Sequence, residues 1–497
     1  MKFLKQIINL LSKYEVKVDL FNEEEARYTS SHKLYTGVQN GLYSTEEEAA
    51  LDIYRTTTLD ARFRNLKSRL KKKLTNQLFF LQIETPKYSE SLAARYEAER
   101  LAFSMRVLGA LGADQAAYEY ALQALSLSEK FHFTKIAVDC LDLLLGQAST
   151  TCNHKEFQKY SNLLSHYTNI LLAELKAREA MQRLNMHFIT SQSVNEDIHK
   201  EIEKIANVVT SLWKEYKSFS LFLANFRAHF YQSQIRGDYL SGLEVCTEAE
   251  QFYKDHPHLK TTARMIELII HKNTALFYLR RYTEGIQYAR EHLHLMPAGS
   301  GNWFSFLIVY FQLLFHANEI SEAKELYETV ISHINFDIAT GHRKDSWKIF
   351  GLYLSFVEGR EIQDMEQFIK GMEMYRSDKS GVYVAVLALS ILVLLRKGDY
   401  DSIITRDEYL KKYLTRYLSG NDHIRSATFF RLLRLLIKND FKLDAVQKLG
   451  AKHIAVLYDS SLWLDDYEVM PYERMWEYVV QMIAKKSGSA PYTTGLQ

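Results

Sequence analysis

A short turn recurs along this chain, and it constrains the fold more than any other feature. Its clearest copy is Arg236-Gly237-Asp238-Tyr239-Leu240-Ser241-Gly242, set between two apolar-patterned segments, 217–235 and 239–254. Gly237 permits the backbone to reverse between helices with little steric conflict. Asp238 is placed to cap the helix that follows. Tyr239 and Gly242 lie three residues apart on that helix, so a large ring sits beside a missing side chain and a neighbouring helix can press close. Counterparts are Asn153-His154-Lys155-Glu156-Phe157, Arg281-Tyr282-Thr283-Glu284-Gly285, Asn318-Glu319-Ile320, Gly359-Arg360-Glu361-Ile362, Lys397-Gly398-Asp399-Tyr400 and Asn439-Asp440-Phe441. Gly112-Ala113-Asp114 is a looser copy. The anchors 157, 239, 282, 320, 362, 400 and 441 are spaced by 82, 43, 38, 42, 38 and 41 residues. The first interval is two periods, which places a faded copy near Asn195-Glu196-Asp197-Ile198.

A period of about 40 residues with two helices per unit points to an α-solenoid, because one helix pair cannot bury its own apolar face and stacking supplies the core. The breaker content agrees. Five prolines and 20 glycines in 497 residues leave room for long helices and little sheet. The expected fold is all-α, a right-handed superhelix of antiparallel helix pairs with a small helical N-terminal domain. The expected parts are an N-terminal helical domain over 1–86, helical repeats over 87–455, capping helices over 456–486 and a flexible tail over 487–497. In the capping region, Trp463, Trp476 and Tyr478 are expected to cover the last repeat.

The pattern resembles the tetratricopeptide repeat class, with helices longer than its usual unit of about 34 residues. The matching residues are the Gly-Asp-Tyr turns at 237–239 and 398–400 and the small residue three after the anchor (Gly242, Gly285, Ala323). The second-helix runs Ala117-Tyr118-Glu119-Tyr120-Ala121 and Ala323-Lys324-Glu325-Leu326-Tyr327 match too. The resemblance covers roughly 100–455. It departs at the repeat-end proline, which only Pro257 and Pro297 supply, and at the small-residue positions occupied by Met365 and Ile403. It implies a protein or peptide binder, with ligand contacts on the first helix of each pair. Residues expected there are Asn225, Arg227 and His229, and Lys272 and Asn273 on the next first helix.

The N-terminal region carries a different signal. Ser44-Thr45-Glu46-Glu47 has the capping-box pattern, with Glu three after Ser, and opens a helix to about Tyr54. Val16–Leu20 alternates apolar and polar residues and is expected to be briefly extended. A helix over 59–82 has Phe63, Leu66, Leu70, Leu74 and Leu78 as an apolar stripe. Arg62, Arg64, Lys67, Arg69, Lys71, Lys72 and Lys73 fill its other faces, and no acidic residue occurs over 61–83. Together with helices near 31–42 and 45–54 it could form a helix-turn-helix-like unit that offers its cations to phosphates. The alternatives are an acidic protein surface, or a solvated face paired with Glu46, Glu47 and Glu48.

Other chemistry finds no support in the sequence. A net charge of +2 gives no bulk attraction to nucleic acid or membrane. Three scattered cysteines argue against a disulfide framework or a zinc site and for a reducing compartment. The charged N-terminus does not read as a signal peptide. The apolar runs Trp303–Phe315 and Val382–Leu395 fall short of a membrane span, which takes about 20 residues. His256 and His258 share a loop, while His292 and His294 on a helix point apart. Phosphate-binding loops, HExxH and a nucleophile elbow are missing. The expectation is a cytoplasmic, non-enzymatic scaffold without cofactor or metal. Its partner is expected to be a protein or peptide, with nucleic acid at the basic helix as the alternative and no membrane contact.

Overall fold

A computed structural model describes residues 1–13, 29–81, 83, 89–190, 196–336, 341–362, 382–420, 423–462, 464–465 and 468–487. The extended segment expected at 16–20, the position Met365, the residue Asn195 and the side chain of Trp463 lie outside them. Among the described residues the fold is all-α, with consecutive helices packed on their neighbours. The chain divides into two compact units: 1–172 with 256–261, and 173–255 with 262–497.

The first unit begins with α1 (Lys2–Lys13), α2 (Ser30–Gln39), α3 (Glu46–Tyr54) and α4 (Ala61–Gln77). Leu4, Ile8 and Leu11 of α1, Leu34 and Val38 of α2 and Ala49 and Ala50 of α3 surround Phe63, Leu66, Leu70 and Leu74 of α4. The stripe read from the sequence is thus the face that buries. The helix ends at Gln77, followed by a short 3-10 turn over Leu78–Phe80, earlier than the expected residue 82. The capping box also moves by one residue: Thr45 Oγ1 accepts from Glu48 N, and the Glu48 carboxylate accepts from Thr45 N. Next come α5 (Glu90–Ala110), α6 (Asp114–Phe131), α7 (Thr134–Thr150) and α8 (His154–Thr190), the last shared with the second unit.

The second unit continues with α9 (Glu196–Tyr216), α10 (Phe219–Arg236), α11 (Tyr239–Asp255), α12 (Thr262–Tyr278) and α13 (Tyr282–His292). After these come α14 (Gly301–His316), α15 (Ile320–Ile331), α16 (Gly341–Val357), α17 (Val382–Lys397), α18 (Tyr400–Ile404), α19 (Asp407–Tyr417), α20 (Ile424–Lys438), α21 (Leu443–Tyr458) and α22 (Tyr472–Ser487). First helices of successive pairs also touch, α12 on α14 and α14 on α16. The apolar helices α14 and α17 supply much of one continuous core. Among the described residues no helix is long and apolar enough to cross a membrane.

The recurring turn is a single hydrogen-bonded device. At eight copies of the turn a backbone N–H reaches the carbonyl five residues back: 113 to 108, 153 to 148, 238 to 233, 281 to 276, 319 to 314, 360 to 355, 399 to 394 and 441 to 436; the same bond also closes the turns from 42 to 37 and from 133 to 128. This is the helix-ending bond that needs a left-handed residue just before it. Gly112, Gly237, Gly359 and Gly398 supply that conformation in four copies, and Cys152, Arg280, Asn318 and Asp440 adopt it in the other four. The anchors then tie pair to pair. Tyr239 stacks on Tyr278 with centroids 4.2 Å apart, and Tyr400 meets Phe441 at 4.3 Å. At Gly285 an added Cβ would lie 2.7 Å from Leu313 Cδ2, so this small residue lets α13 approach α14 closely. Near 198 the ruler gives way to a 37-residue α8 followed by α9. The second half of α8 packs with α9 and α10 around Ala177, Leu184, Ala206 and Val209.

The C-terminal segment departs from a simple end cap. His453–Leu464 is not one helix: α21 ends at Tyr458. Helix α22 packs on α17, α20 and α21, and Tyr478 meets Phe356 of α16 at 5.4 Å. Arg474 donates to the carbonyls of Phe315 (2.8 Å) and His316 (2.9 Å), which end α14. These carbonyls lack intrahelical partners, so a guanidinium is a fitting terminator. Trp476 is buried as expected, but its helix reaches well beyond the last pair.

Candidate functional site

Helix α4 is held from below and open above. Asp60 caps its first turn, accepting from Arg62 N at 2.7 Å and pairing with the Arg62 guanidinium at 2.8 Å. Lys67 pairs with Glu46 of α3 at 2.6 Å. Lys71 lies over the Phe3 ring, 4.3 Å from its centroid. Arg62, Arg64, Arg69, Lys71, Lys72 and Lys73 are exposed and Lys67 is half-buried. Arg64 and Lys72 have no acidic partner among the described residues. The structure therefore gathers the seven cations around one helix, with Arg62 and Lys67 each paired to a nearby carboxylate.

The residues expected to line a groove are engaged within the protein. Arg227 grips Glu267 of α12 through Nε and, at 2.7 Å, through Nη2. Lys272 pairs with Glu250 of α11 at 2.7 Å and lies 4.8 Å from the Tyr288 ring centroid. Thr210 of α9 donates to Asn225 Oδ1 and sits 2.8 Å from His229 Nε2. Asn273 is 0% exposed, and neither of its amide atoms has a partner among the described residues. Arg227, Lys272, Asn225 and His229 thus join neighbouring helices, whereas Asn273 is buried without such a bond. The histidine loop is also used for packing, since His258 meets the Phe131 ring edge-on at 5.5 Å. No cluster of three or more potential metal ligands occurs among the described residues.

The sequence reading missed a buried charge cluster in the second unit. Arg425, in the first turn of α20, is 0% exposed. Its Nε and Nη2 fork onto Glu468 at 3.0 and 2.8 Å, Nη1 reaches the Leu457 carbonyl at 2.9 Å, and Nη2 also meets Glu473. Asp465 accepts from Ser426 N at 2.6 Å, capping α20 from a remote segment. Glu468 accepts from Tyr472 N at 3.0 Å, capping α22. Its backbone carbonyl lies 2.7 Å from His316 Nε2, and Arg280 reaches Glu473 at 3.4 Å. Burial first, and then the Glu468 charge, push the Asp465 carboxyl up to about 7. Burial also works to raise Glu468, but the Arg425 charge and hydrogen bonds outweigh it and hold that carboxyl low. Burial pulls the His316 imidazole down to about 4.

Such a mixture of perturbed groups often marks catalysis. Here Arg425, Asp465, Glu468 and His316 are all buried and hydrogen-bond to one another or to neighbouring backbone, so the cluster reads as the clasp that fixes the C-terminal segment. One signal for it was available in the sequence, an arginine opening the apolar run Ile424–Lys438.

A second overlooked feature is an apolar stripe in the first unit. Phe103 is 46% exposed, Val107 39% and Leu111 78%, each four residues apart along and just past α5. The Phe79 ring, half exposed, lies 5.2 Å from that of Phe103 and extends the stripe. No protein-family model, curated protein or solved structure matches the chain.

Proposed function

We propose that this chain is a non-enzymatic, tetratricopeptide-like scaffold that works in the cytoplasm and binds a protein or peptide partner. The observation that carries the reading is the exposed stripe Phe79, Phe103, Val107 and Leu111, which runs along α5 and onto the 3-10 turn before it. Contiguous apolar side chains left in water on a folded chain favour a protein partner, because docking removes their surface from solvent. The recurring helix pairs support the same reading, since stacked pairs offer extended surfaces for recognition. The occupied groove residues favour a partner site on α5 over one on α10 and α12.

The test is affinity capture from native lysate with the wild-type chain and with the double variant Phe103→Glu/Leu111→Glu. Both positions are exposed, so far-UV circular dichroism should match wild type. The expected result is a stoichiometric partner retained by wild type and lost by the variant. Recovery of no stoichiometric partner at any salt concentration would overturn the reading.

A further inference from the structure

Placed at 3.6 residues per turn, the solvent face of α4 has an ordered composition. Its buried stripe is Phe63, Leu66, Leu70 and Leu74. Directly opposite lie Asn65, Ser68, Lys72, Thr75 and Asn76. Arg64 and Lys71 flank that centre on one side, and Arg62, Arg69 and Lys73 on the other. Short hydrogen-bonding side chains thus occupy the crest and cations both shoulders. No acidic and no large apolar residue is exposed on this helix.

Other helices dispose of their cations differently. On α5, Arg95 pairs with Glu99, Arg100 with Glu97 and Arg106 with Asp139 of α7. In the second unit Arg290 pairs with Glu322 and Lys324 with Glu358. On α4, Arg64 and Lys72 have no acidic partner among the described residues. The helix also follows α3 through a tight turn, with Arg55 in the left-handed conformation and Asp60 as cap. Packing on α1, α2 and α3 uses the buried stripe.

We propose that α4 enters the major groove of duplex DNA, its two basic shoulders on the phosphates of either strand and its crest toward the base edges. A major groove about 12 Å wide admits one α-helix with its side chains, and asparagine and lysine can hydrogen-bond to adenine and guanine edges there. Phosphates on both walls match cations on both shoulders. A-form RNA presents a deep, narrow major groove that cannot take a helix in this way. The proposal stands apart from the scaffold reading, which rests on α5.

The test is fluorescence anisotropy of the full-length chain with a labelled 20-base-pair random-sequence DNA duplex, titrated between 25 and 200 mM salt. With four or five phosphate contacts, the slope of log affinity against log salt should be about −4. Arg64→Ala/Arg69→Ala, one cation from each shoulder, should reduce the slope by about 2 and weaken binding about tenfold to a hundredfold at 0.1 M salt. Lys448→Ala/Lys452→Ala, on exposed positions of α21, should change neither. Any of the following outcomes would overturn the proposal. One is no DNA binding at 25 mM salt, or a slope that the Arg64/Arg69 variant leaves unchanged. Another is duplex RNA of the same sequence bound as tightly as DNA. The third is polyglutamate of matched charge bound more tightly than DNA, which would assign the face to an acidic protein.

Discussion

Two arginine-bearing regions of this protein put the same side chain to opposite uses. On α4, Arg64 and Arg69 stand in water at the rim of a small helical core. At the start of α20, Arg425 has no exposure and is surrounded by Glu468, Glu473 and the Leu457 carbonyl. In water a cation contributes little to folding, since solvent already stabilises its charge, and it remains available to a partner. In the interior it has lost that solvation, so its protein acceptors become essential and no partner can reach it. Location in the tertiary structure, rather than residue type, separates a solvent-exposed cation from a structural clasp.

The sharpest way to break this contrast is Arg425→Met. It leaves Glu468 and Asp465 buried with their main counter-charge gone, and should destabilise the second unit by about 3–5 kcal/mol in chemical denaturation. Adding Glu468→Gln to that variant should recover part of the loss, because the two side chains act as one pair. An additive double variant would mean that the clasp is not cooperative.

Asp465→Asn gives a somewhat smaller effect with a definite pH signature. The Asp465 carboxyl is raised from 3.8 to about 7, so between about pH 4 and 7 the folded chain holds a proton that the unfolded chain has released. Wild-type stability therefore falls as pH rises through that window. The variant lacks this fall and should gain on wild type by about 2–4 kcal/mol from pH 4 to 7.5. His316, lowered to about 4 from 6.5, works in the opposite direction between pH 4 and 6.5. It is present in both proteins, so their difference isolates Asp465. A pH-independent difference would place the Asp465 carboxyl in water.

Gly285→Ala probes the packing of repeats rather than their charge. Its Cβ would stand 2.7 Å from Leu313 Cδ2, and Leu313 is itself fully buried, so the Leu313 side chain or the α13–α14 spacing must shift. The expected cost is about 1–3 kcal/mol, read as a shift in denaturation midpoint. At the far end of the scale, Arg64→Ala/Arg69→Ala should leave stability within about 0.5 kcal/mol of wild type. A larger loss would mean that these cations belong to the fold, and the contrast with Arg425 would collapse.

Much of the architecture was legible because it is local. The turn at Gly237 closes through a bond from Asp238 N to Ser233 O, five residues apart, and its copies repeat that bond along the chain. Glycine announces it at 112, 237, 359 and 398, whereas Cys152 and Arg280 adopt the same conformation without a sequence cue. The stripe on α4 was legible for the same reason, since Phe63, Leu66, Leu70 and Leu74 share a face whatever packs on it. The groove residues were less so. Arg227 meets Glu267 across 40 positions of sequence, and nothing in the run around Arg227 specifies that acid.

The sequence by itself determined that this chain is built of helices, where they reverse, and which helix carries unbalanced positive charge. Each of these follows from backbone geometry and periodicity over a few residues. The tertiary structure alone decided which charges meet water. It brings Arg474 to the end of α14 across 158 positions and Glu468 to Arg425 across 43. Chain closure over such distances is set by the packing of the whole second unit, which makes Arg425 part of its core, whereas the small helical core of the first unit buries only one stripe of α4 and leaves Arg64 exposed.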